Sequence, residues 1–278
     1  MKLCNIKVDN AVHLCAEENG SLRDLTAAGF PYSMDDVISG KGANELKSFL
    51  ERDIPAIEGE VEFANVINSV GKLLCVGLNY RAHAEGAKET VQSDPVIFCK
   101  VNNSLTYAGA PVGLPAWEDS YDYEAELVVV IGKEAWGVTE EEAKDCIFGY
   151  TCGNDFSCRV PQKRSGQWLI GKSMPGFGPC GPFVAPASEF EYRGRKIQSY
   201  VNGELRQNGN TDDMMFSCER IVSYVSKYIR LEPGDLIFTG TPSGVQLEKA
   251  ADERHWLVPG DKVDVVIEDL GTLTSYMV

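Results

Sequence analysis

Apolar and polar residues change their rhythm several times along this chain, and each rhythm names an element. Near the start, NIKV and AVHLCA flank Asp9-Asn10, a turn-forming pair, so residues 1–30 read as short strands joined by a turn. Residues 34–53 place Val37, Leu46, Phe49 and Leu50 as the apolar side of a helix, with Met34-Asp35-Asp36 as its cap and Pro55 ending it. Residues 1–68 thus form a small α+β unit, and 69–278 a larger second domain. The texture shifts at Leu73. LLCVGLNY is a buried-strand run that breaks at Asn79, residues 81–92 suit a short helix or a lid, and PVIFCK is another strand. YEAELVVVIG reads as a strand with a strongly apolar end. TEEEAKDCIFG reads as a helix with Thr139 as N-cap and acidic residues in its first turn, where the macrodipole favours them. After Phe183 strands dominate. The turns Pro233-Gly234-Asp235 and Pro259-Gly260-Asp261 each precede a strand-like run, LIFTGT and KVDVVIED, and residues 219–229 supply one helix. The sum is an α+β fold dominated by β-structure.

Composition narrows the functional classes. With 44% hydrophobic and 24% charged residues the chain is an ordinary globular one, long enough for a large core. Its net charge of −15 argues against nucleic acid, whose phosphates must be neutralised by lysine and arginine, and against an anionic membrane surface. A small anionic substrate remains admissible if the site itself carries cations. The nine cysteines are odd in number and contain no C-x-x-C, and Cys146, Cys152 and Cys158 are six apart, which is not zinc-ligand spacing. They read as reduced thiols of a cytoplasmic protein. The opening MKLCNIKVDNAVHLC lacks the apolar core and cleavage site of a signal peptide, and no stretch approaches the ~20 apolar residues of a membrane span.

The candidate chemistry centres on carboxylates. Glu124 and Glu126 stand at i and i+2 in DYEAELVVVIG, hence on one face of a strand about 6.5 Å apart. Two acids that close raise each other's pKa unless a cation lies between them, and this strand runs on into a core. Asp155 follows in GYTCGNDFSCR, where a strand, a crossover helix and a second strand bring it beside the pair. Three carboxylates meeting at one point suit a hard divalent cation such as Mg²⁺. The same spacing also suits the solvent face of an edge strand, as the acidic neighbours Glu118 and Asp122 allow.

Lys172, in the glycine-rich QWLIGKSMPGFGPCGP, is placed to stabilise negative charge developing on a bound oxygen, or is a surface lysine. Arg159 and Gln162 follow Asp155 at +4 and +7 and share its face if the segment turns helically, with Arg159 suited to a carboxylate. His83, in NYRAHAEG just past a strand end, has Glu85 near enough to orient it as a general base acting on water. Thr241 lies in TGTPSG, a strand-ending loop that suits a carboxylate or is simply a tight turn.

Together these segments resemble the fumarylacetoacetate hydrolase family, on its acylpyruvase and 2-hydroxyhepta-2,4-diene-1,7-dioate isomerase-like branch. CVGLNYRAHAEG, DYEAELVVVIGK, IFGYTCGNDFSCRVPQ, QWLIGKSMPGFGPCGP, VNGELRQNGNT, LEPGDLIFTGTPSGV and LVPGDKVDVVIEDLGTL run in family order from about Leu73 to Leu273. The resemblance implies a mixed β-sandwich roll with a smaller N-terminal domain, assembled as a homodimer. It implies Mg²⁺, with Mn²⁺ as the alternative, on Glu124, Glu126 and Asp155, with Lys172 beside it. It implies Arg159, Gln162 and Thr241 around a small 2-oxo or diketo acid substrate. The reaction implied is hydrolysis of a C–C bond in a 2,4-diketo acid, in which His83 and Glu85 activate water and the metal and Lys172 stabilise the leaving enolate.

Three departures qualify that expectation. Acylpyruvate hydrolases of the family carry His-x-x-Glu on the lid, whereas Ala84, Glu85 and Gly86 follow His83 here. The glutamate comes one position early, a turn of about 100° on a helix, which leaves Glu85 or Glu89 as the partner of His83. Pro175 replaces an aspartate, and Val101 a proline, found in many relatives. The altered lid keeps open an isomerase or tautomerase, an oxaloacetate-type decarboxylase and a non-catalytic member of the family.

Overall fold

The computed structural model describes residues 1–278 except Glu89 and Val91. Its first sheet joins Lys2–Val8 and Ala11–Glu18 in an antiparallel hairpin, flanked by Ser21–Asp24 and Glu62–Phe63. Asp9 and Asn10 both take positive φ, as a tight two-residue hairpin turn requires. The helix expected over 34–53 is two helices, Met34–Ile38 and Ala43–Leu50. Gly40 and Gly42 between them sit at φ 86° and 74°, which no continuing helix can hold. The cap is Ser33, whose side chain and Asp36 form a reciprocal capping box.

An eight-stranded sheet forms the centre of the molecule. Val96–Lys100, Leu73–Gly77, Leu236–Phe238, Ala125–Ile131, Ile147–Asn154, Gly178–Cys180 and Leu105–Tyr107 follow one another across it, with Ala185–Pro186 on Ile147–Asn154. Ala125–Ile131 is buried along its whole length, and its period of two divides it between two cores. Leu127, Val129 and Ile131 face Ile197, Val265 and Leu273 of a second, five-stranded sheet and the helix Cys218–Ser226. Val128 and Val130 pack with Leu3 and Leu14 of the N-terminal sheet and with Leu25 just after it. The fold is β-dominated, as the pattern predicts.

Ala125–Ile131 and Ile147–Asn154 are joined through the helix Glu140–Cys146, which Thr139 caps as expected. The two strands are nevertheless antiparallel neighbours, not the parallel pair a crossover implies. Their register sets Ala125 against Asn154, so the residue before one strand and the residue after the other, Glu124 and Asp155, emerge together at one edge of the sheet. The Asp155 N–H donates to the Glu124 carbonyl at 3.0 Å. No helix among the described residues is long and apolar enough to cross a membrane, and all nine cysteines are free.

Candidate active site

Four strand ends converge on that edge. Leu73–Gly77 leads through Leu78, held at φ 59°, and Asn79 into the helix Arg81–Gly86, which carries His83. Asn79 fixes the turn: its amide donates to the carbonyls of Phe216 and Thr239, and its oxygen accepts from the Phe216 N–H. Leu236–Phe238 leads to Thr239, Gly240 and Thr241. The Gly240 N–H donates to Glu126 Oε2 at 2.7 Å. Thr241 Oγ1 donates to the Ala125 carbonyl and accepts from Gln207, so the hydroxyl braces the loop to the strand.

Glu124, Glu126 and Asp155 each bring a carboxylate oxygen to within 4.8 Å of the other two, and all three are buried. Lys172, at the end of the short helix Leu169–Lys172, lies 2.6 Å from both Glu124 Oε2 and Asp155 Oδ2. Gly171 earns its place through packing: a Cβ there would lie 2.5 Å from the Cys158 carbonyl oxygen and from Gln162, so glycine lets this helix dock on Arg159–Lys163. Arg159 donates from Nε to Asp122 and from Nη1 to Gln162, and the same Nη1 pairs with Glu124 at 2.7 Å. Its buried Nη2 has no hydrogen-bond partner. Lys100, buried behind the cluster, donates to the carbonyls of Phe156 and Lys172 and lies 2.6 Å from Asp155 Oδ1, as an ion-pair contact out of line for a hydrogen bond.

The charges do not balance evenly. Burial would raise the Glu124 pKa, but Lys172 and Arg159 outweigh it and hold this carboxyl well below its usual range. Burial also opposes the Lys172 charge, yet Asp155 and Glu124 keep the ammonium above its ordinary value. Glu126 goes the other way: burial, then Asp155 and Glu124, push it well up. One member of the cluster therefore lacks a cation. Oxygen donors only, close convergence and a carboxylate with no ion-pair partner among the described residues fit a hard divalent ion.

His83 is buried, and its Nδ1 lies 2.5 Å from a carboxylate. The carboxylate belongs to Glu248, not to Glu85, which is exposed on the lid helix. Glu89 lies outside the described residues. Glu248 is held in turn by the Gly244 N–H, which donates to its Oε2 at 2.8 Å. Gly86 makes room for the arrangement: a Cβ at that position would lie 2.9 Å from Cγ and Cδ of Glu248. The glycine found where relatives carry glutamate thus admits a glutamate from elsewhere in the chain.

A cavity of ≈ 290 Å³ brings these residues together. His83, Glu124, Glu126, Asp155, Arg159, Gln162, Lys172 and Thr241 all line it, and Glu85 does not. Asp155 lies outside any helix, so it shares the cavity with Arg159 and Gln162 but not one helical face with them. The lining also has apolar groups, Leu78, Leu247, and Phe98 and Trp168 in edge contact at 5.2 Å, with Phe98 under Lys172 Nζ at 5.3 Å.

Residues 72–278 match the family described as fumarylacetoacetate (FAA) hydrolase, C-terminal. This chain belongs to the fumarylacetoacetate hydrolase family. It is 41% identical over 207 residues to a Bacillus subtilis (strain 168) protein named oxaloacetate tautomerase YisK, a match spanning 73% of this chain and 68% of the relative. It is 36% identical over 258 residues to the 2,4-didehydro-3-deoxy-L-rhamnonate hydrolase of Sphingomonas sp. (strain SKA58), spanning 92% and 88%. The maleylpyruvate hydrolase of Sphingobium sp. SYK-6, solved with manganese(II) and pyruvate, superposes with a TM-score of 0.82 at 26% identity, covering 100% of this chain and 99% of that one. The family thus includes hydrolases and tautomerases.

From the sequence, Asp122 is only an acidic neighbour that allows a solvent face, whereas in the structure it is buried, and Lys100, Gln207 and Glu248 are given no role. Asp122 shares the i, i+2 spacing of Glu124 and Glu126 and was legible as a third acid on that face. Nothing local marks the other three.

Proposed function

We propose that this chain is a divalent-metal-dependent hydrolase that cleaves a C–C bond in a 2,4-diketo acid of the acylpyruvate type. The observation that carries this reading is the His83–Glu248 pair opening on the same cavity as the three carboxylates. A carboxylate only accepts hydrogen bonds, so Nδ1 carries the proton and Nε2 presents a lone pair. A base of that kind, oriented by a buried acid, suits proton removal from water.

Glu124, Glu126 and Asp155 would hold Mg²⁺ or Mn²⁺, which supplies Lewis-acid polarisation of the substrate's 2-oxo oxygen and a template for its chelating end. The chain's own residues do the rest. Arg159, with its unpartnered Nη2, and Gln162 receive the substrate carboxylate. His83 takes a proton from water, and the hydroxide adds to the distal carbonyl carbon. The C–C bond then breaks, and its electron pair passes into the 2-oxo acid fragment. Lys172 donates to the oxygen on which that charge collects. Protonation of the carbon completes a 2-oxo acid and a carboxylic acid. Phe98, Trp168 and Leu78 shield the reacting end from bulk water.

A second reading keeps the same base and omits water: keto–enol tautomerisation of a 2-oxo acid such as oxaloacetate. The 41% identity to a relative named for that reaction favours it. Product analysis by NMR separates the two. Acetylpyruvate split into pyruvate and acetate supports the hydrolase, interconversion of oxaloacetate forms without fragments supports the tautomerase, and CO₂ release would indicate decarboxylation. Turnover that survives exhaustive chelation with EDTA would sink the metal-dependent reading in any form.

A further inference from the structure

Asp122 is fully buried, and every group it meets is a donor. Oδ1 accepts from the N–H groups of Tyr123 and Gln246, each at 3.0 Å. Oδ2 accepts from Arg159 Nε at 2.8 Å and from the Leu247 N–H at 3.0 Å. Three of these partners, on two separate elements, bear on the proposed chemistry. Arg159 lines the cavity, and its buried Nη2 has no hydrogen-bond partner. Gln246 and Leu247 begin the short 3₁₀ turn Gln246–Glu248, whose last residue is the partner of His83. Tyr123, next to Asp122, adds a second tie to the same loop: its hydroxyl donates to the Gly244 carbonyl and accepts from the Gln246 amide.

Resting on the hydrolase reading above, we propose that Asp122 is a positioning residue that fixes the anion-binding arm, Arg159, and the base-orienting carboxylate, Glu248, in one arrangement. It touches neither substrate nor proton. It acts by anchoring the arginine and the turn to one carboxylate, so that the carboxylate end of the substrate and the water-activating histidine keep a constant separation. Only an ionised aspartate meets the need. Asparagine has the same shape but would turn an NH₂ toward two of the four donors, leaving them buried and unpartnered.

The experiment compares wild type, D122N, R159M, E248Q and the two double variants that combine D122N with each of the latter. Oxalate affinity of the Mn²⁺-loaded protein reads the arginine arm by calorimetry, and kcat on acetylpyruvate reads the base pair. D122N is expected to weaken oxalate binding and to lower kcat, each by about tenfold, the usual size for a supporting shell. Each loss is expected to vanish in the background that already lacks the corresponding partner: oxalate binding in R159M, kcat in E248Q. A purely structural role would lower stability and leave these couplings at zero. Wild-type affinity and kcat in D122N, or losses that add in full to both partner variants, would overturn the proposal. If D122N does not fold, D122E keeps the charge while shifting it by one methylene, and is expected to show both losses at about threefold. No change in D122E then counts against the proposal. A wild type that turns over no acetylpyruvate would retire the hydrolase reading, and the oxalate couplings would decide the role of Asp122 on their own.

Discussion

Glu219 and Glu126 are both buried glutamates, and their surroundings treat the charge in opposite ways. Glu219 opens the helix Cys218–Ser226. Tyr192 Oη donates to its Oε2 at 2.9 Å and Arg193 Nη2 at 2.8 Å. Burial raises its pKa, but its own backbone N–H, Tyr192 and Arg193 outweigh burial and hold it low. Glu126 has one hydrogen-bond donor, the Gly240 N–H, and burial first, then Asp155 and Glu124, push its pKa well up. The fold can satisfy a buried glutamate when the charge serves only architecture. Where three acids crowd together and the nearby Lys172, Lys100 and Arg159 pair with Glu124 and Asp155 but not with Glu126, the arrangement suits a ligand. Burial raises both glutamates, and what separates them is whether the donors around each outweigh it.

The comparison can be broken most forcefully at the base. H83Q is expected to lower kcat on acetylpyruvate by about 10³-fold, with an unchanged circular-dichroism spectrum. An effect below tenfold would remove His83 from the chemistry. The structural cluster should answer in the other currency. E219Q is expected to cost about 2 kcal/mol of stability, the size of a lost charge-assisted hydrogen bond network, in urea unfolding, with kcat unchanged. The pH dependence has a definite sign. Because the folded pKa of Glu219 is depressed, its contribution is present above the unfolded carboxyl range and fades as pH falls through the folded value. The stability gap between wild type and E219Q should therefore close on acidification.

Gly86 sharpens the contrast within the site. G86A is expected to lower kcat about tenfold with little loss of stability, because the intruding Cβ displaces only the end of the Glu248 side chain. G86E combined with E248Q rebuilds the His-x-x-Glu spacing and should recover part of the activity lost in E248Q alone. No recovery would mean that the lid helix cannot present its own acid. The smallest effect concerns Glu126. In metal-free protein, E126Q relieves like-charge repulsion and should raise stability by about 1 kcal/mol, or about 2–4 °C in Tm, while abolishing Mn²⁺ binding. A drop in metal-free Tm would show that the cluster is already balanced.

Much of this architecture was legible locally because periodicity is a local property. The alternation in EAELVVVIG locates a strand with two buried faces, Thr139 and Glu142 mark a helix start, and Asp9-Asn10 marks a hairpin. The break between Met34–Ile38 and Ala43–Leu50 was also written in the chain, in Gly40 and Gly42, but apolar spacing hid it.

Spacing and motif order, taken alone, determined which side chains were candidates: His83, Glu85, Glu124, Glu126, Asp155, Arg159, Gln162, Lys172 and Thr241. Tertiary structure decided how they are connected. The partner of His83 is 165 positions away, and Asp122 reaches Leu247 across 125. No local rhythm encodes such pairings. They arise because antiparallel register brings Glu124 and Asp155 to the edge of the sheet where Leu73–Gly77 and Leu236–Phe238 also end, and because Gly86 leaves space there for a side chain from another loop.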